Sequence, residues 1–399
     1  MNRNSPVAIT GIGCLSAAGM SLKENMTFLF SGKRHASPPE RFTSSHPLHY
    51  PVFEILKDSF PGNDPQYKDI LRTCRLGLAA ANEALQDAGL VPEGITGLKV
   101  GVCIGTTVGS TMTDEEFYRN FRSGMHPDMR MIERFLRSNP ASVIAREFAF
   151  KGPSQTVVNA CSSGTDAIGI GTSWIRSGIC DMVIAGGADE LCRVTYNGFI
   201  SLMITDDSPC RPFDRDRKGL NLGEGAAILI LESDRVLRNR EKPARAFVLG
   251  YGSACDGYHL TAPSPEGKGL RNALTDALLE SGKTAGDIAF INAHGTATKD
   301  NDRTEAMVLR EILPGVPFFS TKGYTGHTLG AAGAIEAAFT VACLESGMIP
   351  ANAGFSEPDP ELGVSPVKDI TGISGKVALS DSLAFGGYNA ALVLGLERG

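Results

Sequence analysis

The 399-residue chain predicts an α/β fold built from two similar halves. The first observation is alternation. Short apolar runs of strand type are separated by stretches with apolar residues at helical spacing, which argues for layered sheets and helices. The second observation is duplication. VAITGIGCLSAAG (7–19) is echoed by AFVLGYGSACDG (246–257), and LKVGVCIGTT (98–107) by DIAFINAHGTAT (287–298). TVVNACSSGTDAIG (156–169) is echoed by FFSTKGYTGHTLGAAGAIEAA (318–338), and AAILILE (226–232) by AALVLGLE (390–397). Matches in one order, roughly half a chain apart, argue for a doubled domain rather than an array of short repeats. The join falls near the charged stretch RNREKPARA (238–246), which contains Pro243. We therefore expect halves at 1–242 and 243–399.

The elements follow in order. VAIT (7–10), KVGVCIG (99–105), QTVVNA (155–160), MVIAGG (182–187) and AAILILE (226–232) read as buried strands. RLGLAAANEALQDAGL (75–90) reads as a helix, with apolar residues at helical spacing and Gly89 near its end. SGTDAIGIGTSWIRSG (163–178) reads as a second helix, with Ala167, Ile168, Gly171, Trp174 and Ile175 on one face.

Composition excludes several classes. Apolar residues make up 42% and charged residues 21%, which suits a globular protein. The formal net charge of −6 gives no support to nucleic-acid binding. The nine cysteines are odd in number and form no CxxC, so neither a zinc ribbon nor a redox pair is expected. Most sit in apolar runs and read as buried reduced thiols. The opening MNRNSPVAIT lacks a basic start and an apolar stretch, and no run suggests a membrane span of about 20 residues. A cytoplasmic protein is the expectation. The first strand resembles a dinucleotide-binding start, but its Gly11, Gly13 and Ser16 break the G-x-G-x-x-G spacing. An oxidoreductase is therefore disfavoured.

Four stretches carry chemistry. In NACSSG, Cys161 sits between a strand and a helix, where free backbone N–H groups favour an anion. That position predicts a lowered thiol pKa and a nearby oxyanion site. In NAHGTAT (292–298), His294 follows a strand at the edge where α/β sites form. In STKGYTGHTLGAAGAIEAAF (320–339), Lys322 and His327 occupy a glycine-rich loop before a very apolar helix. Glu336 is the only charge between Thr328 and Leu344, and if buried it needs a cation or donors. In LSDSLAFGGYNAALVLG (379–395), two glycines beside Phe385 permit an unusual backbone. One cysteine and two histidines at three strand ends suit acyl transfer through a thioester.

These stretches, together with CRPFDRDRKGLNLGEGAA (210–227), resemble the β-ketoacyl-[acyl-carrier-protein] synthases, the elongating condensing enzymes of fatty acid and type II polyketide synthesis. The likeness runs along nearly the whole chain. It implies a thiolase-like fold, with two pseudo-duplicated halves in a five-layer α-β-α-β-α core, usually dimeric. It places a Cys-His-His site at Cys161, His294 and His327, with Lys322 beside it and Phe385 as an aromatic gate. The backbone N–H groups of Cys161 and Phe385 are the implied oxyanion donors, and Thr296 and Thr298 the implied holders of the phosphopantetheine arm. Some members bind a structural monovalent cation, for which the matching positions are Asn292, Glu336, Ser380 and Asn389. No redox cofactor or catalytic metal is implied.

The implied partner is an acidic acyl carrier protein, and Lys68, Arg72 and Arg75 are candidate docking cations on YKDILRTCR (67–75). A homodimer is implied, with a heterodimer of related subunits as the alternative. A non-catalytic chain-length-factor subunit is disfavoured because such subunits usually lack the nucleophile. Two departures stand out. The gate reads AFGG where relatives usually have GFGG, so Ala384 is expected to restrict it, and Tyr388 replaces a smaller residue. Acyl-pocket residues are expected partly from 107–150, including MRMIERFL (129–136).

Overall fold

The computed structural model describes residues 5–56, 67, 69–91, 95–109, 112–240 and 242–398. In the first half, strands β1 (Val7–Ser16), β2 (Val100–Gly105), β3 (Ser154–Val157), β4 (Met182–Asp189) and β5 (Gly225–Glu232) alternate with helices. Those helices are α1 (Leu22–Phe30), α2 (Arg72–Asp87), α3 (Met112–Arg122), α4 (Arg130–Arg137), α5 (Pro140–Glu147), α6 (Ser163–Arg176), α7 (Arg193–Ser201) and α8 (Asp234–Arg240). The second half holds β6 (Ala246–Cys255), β7 (Ile291–Asn292), β8 (Phe318–Phe319), β9 (Met348–Ile349), β10 (Thr371–Gly372), β11 (Val377–Leu383) and β12 (Tyr388–Gly395). Its helices are α9 (Lys268–Ser281), α10 (Lys299–Ile312), α11 (Lys322–Thr325) and α12 (Ala332–Ser346).

Ten strands form one hydrogen-bonded series, β3-β2-β4-β5-β1-β6-β12-β11-β7-β8. Each half contributes five neighbours, and the second five mirror the first. The halves meet where β1 and β6 pair over Val7–Val248, Ala8–Phe247 and Ile9–Ala246. Helices α6 and α12 pack on each other and against strands of both halves, while α2 covers β1 and β5 and α9 covers β6 and β12. The result is the five-layer α-β-α-β-α core of the thiolase-like fold.

The glycines of the first strand have a packing role. A Cβ on Gly11 would lie 2.2 Å from the Ala84 carbonyl oxygen, and one on Gly13 would lie 2.0 Å from that of Ala80. Their absence lets α2 press onto β1. Gly250 and Gly252 do the same for α9, with Ala277 and Ala273 oxygens at 2.1 and 2.0 Å from the missing Cβ. Strand β1 runs on through Gly11 and Gly13 to Ser16, so no phosphate-binding turn exists there.

Central helix α12 is buried from Ala332 through Leu344. Among the described residues, Leu329–Ser346 alone is long and apolar enough to cross a membrane, and 89% of it is buried inside the fold. It is a core helix, apolar nearly all round because strands of both halves pack on it. Two boundaries differ from expectation. The helix expected at 75–90 begins at Arg72, and the strand expected through 160 ends at Val157, with Val158 exposed.

Candidate active site

Cys161 lies in a 3₁₀ turn, Ala160–Ser162, that joins β3 to α6. Ala160 sits at φ +49, a strained value for a residue with a Cβ. The strain is held by hydrogen bonds to its carbonyl from Thr107 Oγ1 at 3.1 Å and Ser163 Oγ at 2.6 Å. Asp166, one turn further, accepts from Asn159 Nδ2 at 2.9 Å and Ser162 Oγ at 2.8 Å. It also accepts from Tyr251 Oη at 2.7 Å, tying the elbow to β6.

The thiol does not have the lowered pKa expected of it. Burial pushes Cys161 up to about 12, against the opposing pull of Lys322 and of the Phe385 N–H that points at the sulfur. Removal from water costs a sulfur anion more than the nearby donors return.

Both imidazoles come from the other half. His327 follows α11 through Gly326, which adopts φ +66. Its Nε2 lies 3.0 Å from Cys161 Sγ, and its Nδ1 accepts the Leu329 N–H at 3.3 Å. His294, just beyond β7, stands edge-on to His327 with ring centres 5.2 Å apart. Its loop is anchored by two buried carboxylates: Asp381 accepts the His294 N–H at 3.0 Å and Glu305 accepts the Gly295 N–H at 2.9 Å.

Lys322 is 1% exposed and directs its ammonium to three acceptors. These are the Glu336 carboxylate, the His294 carbonyl at 2.6 Å and His294 Nδ1 at 3.1 Å. Glu336 thus has the cation that its burial demanded, and burial still raises its pKa to about 7. Burial first and Lys322 second hold both imidazoles well below their usual pKa. Each Nδ1 faces an unambiguous donor, so each neutral ring carries its hydrogen on Nε2.

The gate is Phe385-Gly386-Gly387, whose glycines take φ +85 and +79. Gly386 N–H donates to the Leu260 carbonyl at 2.7 Å, and Asp256 N–H to that of Gly387 at 2.7 Å. Ala384 was expected to restrict this segment, yet its backbone is extended at φ −130, which any residue adopts. Phe385 stacks on Phe199 with ring centres 5.5 Å apart and planes 13° apart. No motif in the sequence marks Phe199.

A cavity of about 360 Å³ reaches Cys161, His294, His327 and Phe385 from a rim that includes Met203 and Lys218. Thr296 and Thr298 line it, with their hydroxyl oxygens 2.8 Å apart. Among the described residues none of its lining comes from 107–150, and α4 has no buried side chain.

The cation expectation divides. Asn292 and Ser380 are paired neighbours on β7 and β11. Asn292 Oδ1, Ser380 Oγ and Glu336 Oε2 are all buried without a hydrogen-bond partner. Three unspent oxygens suit a hard monovalent cation. The Asn389 amide N–H₂ donates to Asp256 Oδ1 at 3.2 Å and the Gly387 carbonyl at 2.9 Å, which fixes the gate.

The docking expectation fails at Arg72. Its guanidinium is buried and donates to both Glu224 oxygens, at 3.0 and 2.9 Å, and to the Ile55 carbonyl at 2.7 Å. A helix beginning at 72 turns that residue into the core. Arg75 is half-buried, and Lys68 lies outside the described residues. Asp189 was also missed. It accepts from Thr106 Oγ1 at 2.8 Å, Thr107 N–H at 2.7 Å and Gly330 N–H at 2.8 Å. It thereby clamps the turn after His327 to the loop that holds Ala160.

The family description "Beta-ketoacyl synthase, N-terminal domain" matches residues 4–236, and "Beta-ketoacyl synthase, C-terminal domain" matches 245–356. The chain belongs to the β-ketoacyl synthase family. It is 32% identical to "3-oxoacyl-[acyl-carrier-protein] synthase 2" of Synechocystis sp., over 97% of each chain. Among solved structures it resembles the ishigamide ketosynthase/chain length factor, with a TM-score of 0.92 and 32% identity over 98% of this chain and 99% of that one. It also resembles a type II polyketide synthase ketosynthase, bound to its acyl-carrier protein and the hexaketide. There the TM-score is 0.89 and identity 26%, over 98% of this chain and 99% of that one.

Proposed function

We propose that Cys161, His294, His327 and Lys322 carry out a decarboxylative Claisen condensation on thioesters borne by the phosphopantetheine of an acyl carrier protein. The chain is an acyltransferase of the condensing type, acting in fatty acid or polyketide synthesis. The observation that carries the residue assignment is the meeting of one sulfur with two imidazoles at the end of a cavity.

Cys161 attacks the carrier's acyl thioester, and its proton leaves with the carrier thiol. The N–H groups of Cys161 and Phe385 hold the tetrahedral oxyanion. Malonyl carrier then enters past Phe385, its arm held along Thr296 and Thr298. Loss of carbon dioxide leaves an enolate, whose oxygen takes a hydrogen bond from each Nε2–H. Neutral rings suit this role, because an imidazolium would pair with the malonyl carboxylate and hold it unreacted. The enolate carbon attacks the acyl carbonyl on Cys161, the sulfur departs as a thiolate that takes its proton back from water, and the 3-oxoacyl chain leaves on the carrier. A monovalent cation at Asn292, Glu336 and Ser380 would supply positive charge behind Lys322 and stiffen β7 against β11. The half 1–242 supplies the nucleophile and 243–399 both imidazoles. The working assembly is a dimer, with a copy of itself or, as in the ishigamide complex, with a chain-length-factor-like subunit.

Mass spectrometry tests the assignment. Incubation with acyl-carrier thioesters is expected to acylate Cys161 in the wild type and to leave Cys161→Ala unmodified. Adducts elsewhere, with Cys161 free, would refute it.

A further inference from the structure

Cys161, His294 and His327 form more than a catalytic constellation. Their candidate ligand atoms lie within 4.8 Å of one another and all three residues are buried. One thiolate and two imidazoles at that spacing are the protein donors of a tetrahedral zinc site. The cavity leaves them open to solutes. What sets them apart from a metal site is the far side of each ring.

A histidine that ligates through Nε2 needs its lone pair there. Its hydrogen must then sit on Nδ1 and be given to a carboxylate, a carbonyl or water. Here both Nδ1 atoms face donors instead. Lys322 Nζ donates to His294 Nδ1 at 3.1 Å, and the Leu329 N–H donates to His327 Nδ1 at 3.3 Å. Moving either hydrogen to Nδ1 sets it against an ammonium or an amide hydrogen. The carboxylate behind His294, Glu336, is already engaged by Lys322. The ammonium also sets positive charge beside any incoming cation.

We propose that Lys322 and the Leu329 N–H keep divalent transition metals out of this Cys-His-His set by fixing both rings as Nε2–H donors. The hydrogens that serve an enolate oxygen are the same ones that deny a metal its lone pairs. Lys322 thereby gains a selectivity role that does not depend on turnover.

The test is equilibrium binding of Co²⁺ to metal-stripped protein, followed by its tetrahedral visible bands and thiolate charge-transfer band, with Zn²⁺ as competitor. Cys161→Ala in each background measures the signal from other thiols, which is subtracted. The wild type is expected to show no Cys161-dependent Co²⁺ site at stoichiometric metal. Lys322→Met is expected to gain affinity by about 10- to 100-fold, the usual size of an outer-shell effect. The gain should vanish in Lys322→Met/Cys161→Ala. If Lys322→Met does not fold because Glu336 has lost its cation, Lys322→Met/Glu336→Gln leaves no stranded charge and takes its place. Stoichiometric Co²⁺ at Cys161 in the wild type overturns the proposal. So does unchanged affinity in the folded Lys322 variant.

Discussion

Replacing His294 with alanine separates the two chemical halves of the reaction. The substitution strands no charge, because the Lys322 ammonium keeps the Glu336 carboxylate and the residue 294 carbonyl at 2.6 Å. The backbone anchor to Asp381 at 3.0 Å also survives. The loss is one Nε2–H aimed at the enolate oxygen. Removing one such donor costs about 10²–10³ in rate, or about 3–4 kcal/mol of transition-state stabilisation. Acylation should be nearly spared, because the imidazole touching the sulfur is His327, at 3.0 Å. The assay pairs carbon dioxide release from malonyl carrier with the rate at which the Cys161 adduct appears. A fall in decarboxylation of the stated size, with acylation retained, is the expected result. Equal losses in both steps, or undiminished decarboxylation, would refute the division of labour between the rings.

Other substitutions probe the surroundings. Arg72→Met should lower unfolding stability by about 3 kcal/mol, the lower end for a broken buried pair, because Arg41 still reaches Glu224 at 3.0 Å. Denaturant titration measures this, while the KM for carrier should not move; a raised KM with unchanged stability would return Arg72 to docking. Asp189→Ala should slow Cys161 alkylation by freeing the Gly330 and Thr107 amides. Asp189→Asn should restore it, since an amide oxygen still accepts both N–H groups and its NH₂ can donate to Thr106 Oγ1. Equal rates in both variants would show that this clamp does not position the site. In Lys322→Met the second cause holding both imidazoles low is gone, so their pKa values rise. The acid limb of the decarboxylation profile should therefore move to higher pH; an unmoved limb would mean that burial alone sets the rings.

Much of the site was legible because its parts sit at element junctions. Cys161 between strand and helix, His294 after a strand and His327 in a glycine-rich loop are local patterns, and each ended where its pattern placed it. Glu336 was conspicuous as a lone charge in an apolar helix, and burial beside Lys322 explains it. Arg72 was misread because a basic residue near a helix start looks the same whether it faces water or Glu224, 152 positions away. Phe199 and Asp189 carried no local signal, since their partners Phe385 and Gly330 lie in the other half.

The sequence by itself determined the alternation of strands and helices, the doubling of the chain and the residue types of an acyl-transfer site. Apolar periodicity and turn chemistry are written over a few residues, and a repeated order needs no third dimension to be seen. Only the tertiary structure decided that burial raises the pKa of the thiol, that both rings carry hydrogen on Nε2, and that the Asn389 amide holds the gate. Those properties depend on which distant groups exclude water and which donors face each nitrogen. Cys161 and His327 meet across 166 positions, and a contact of that range is fixed by how the layers pack.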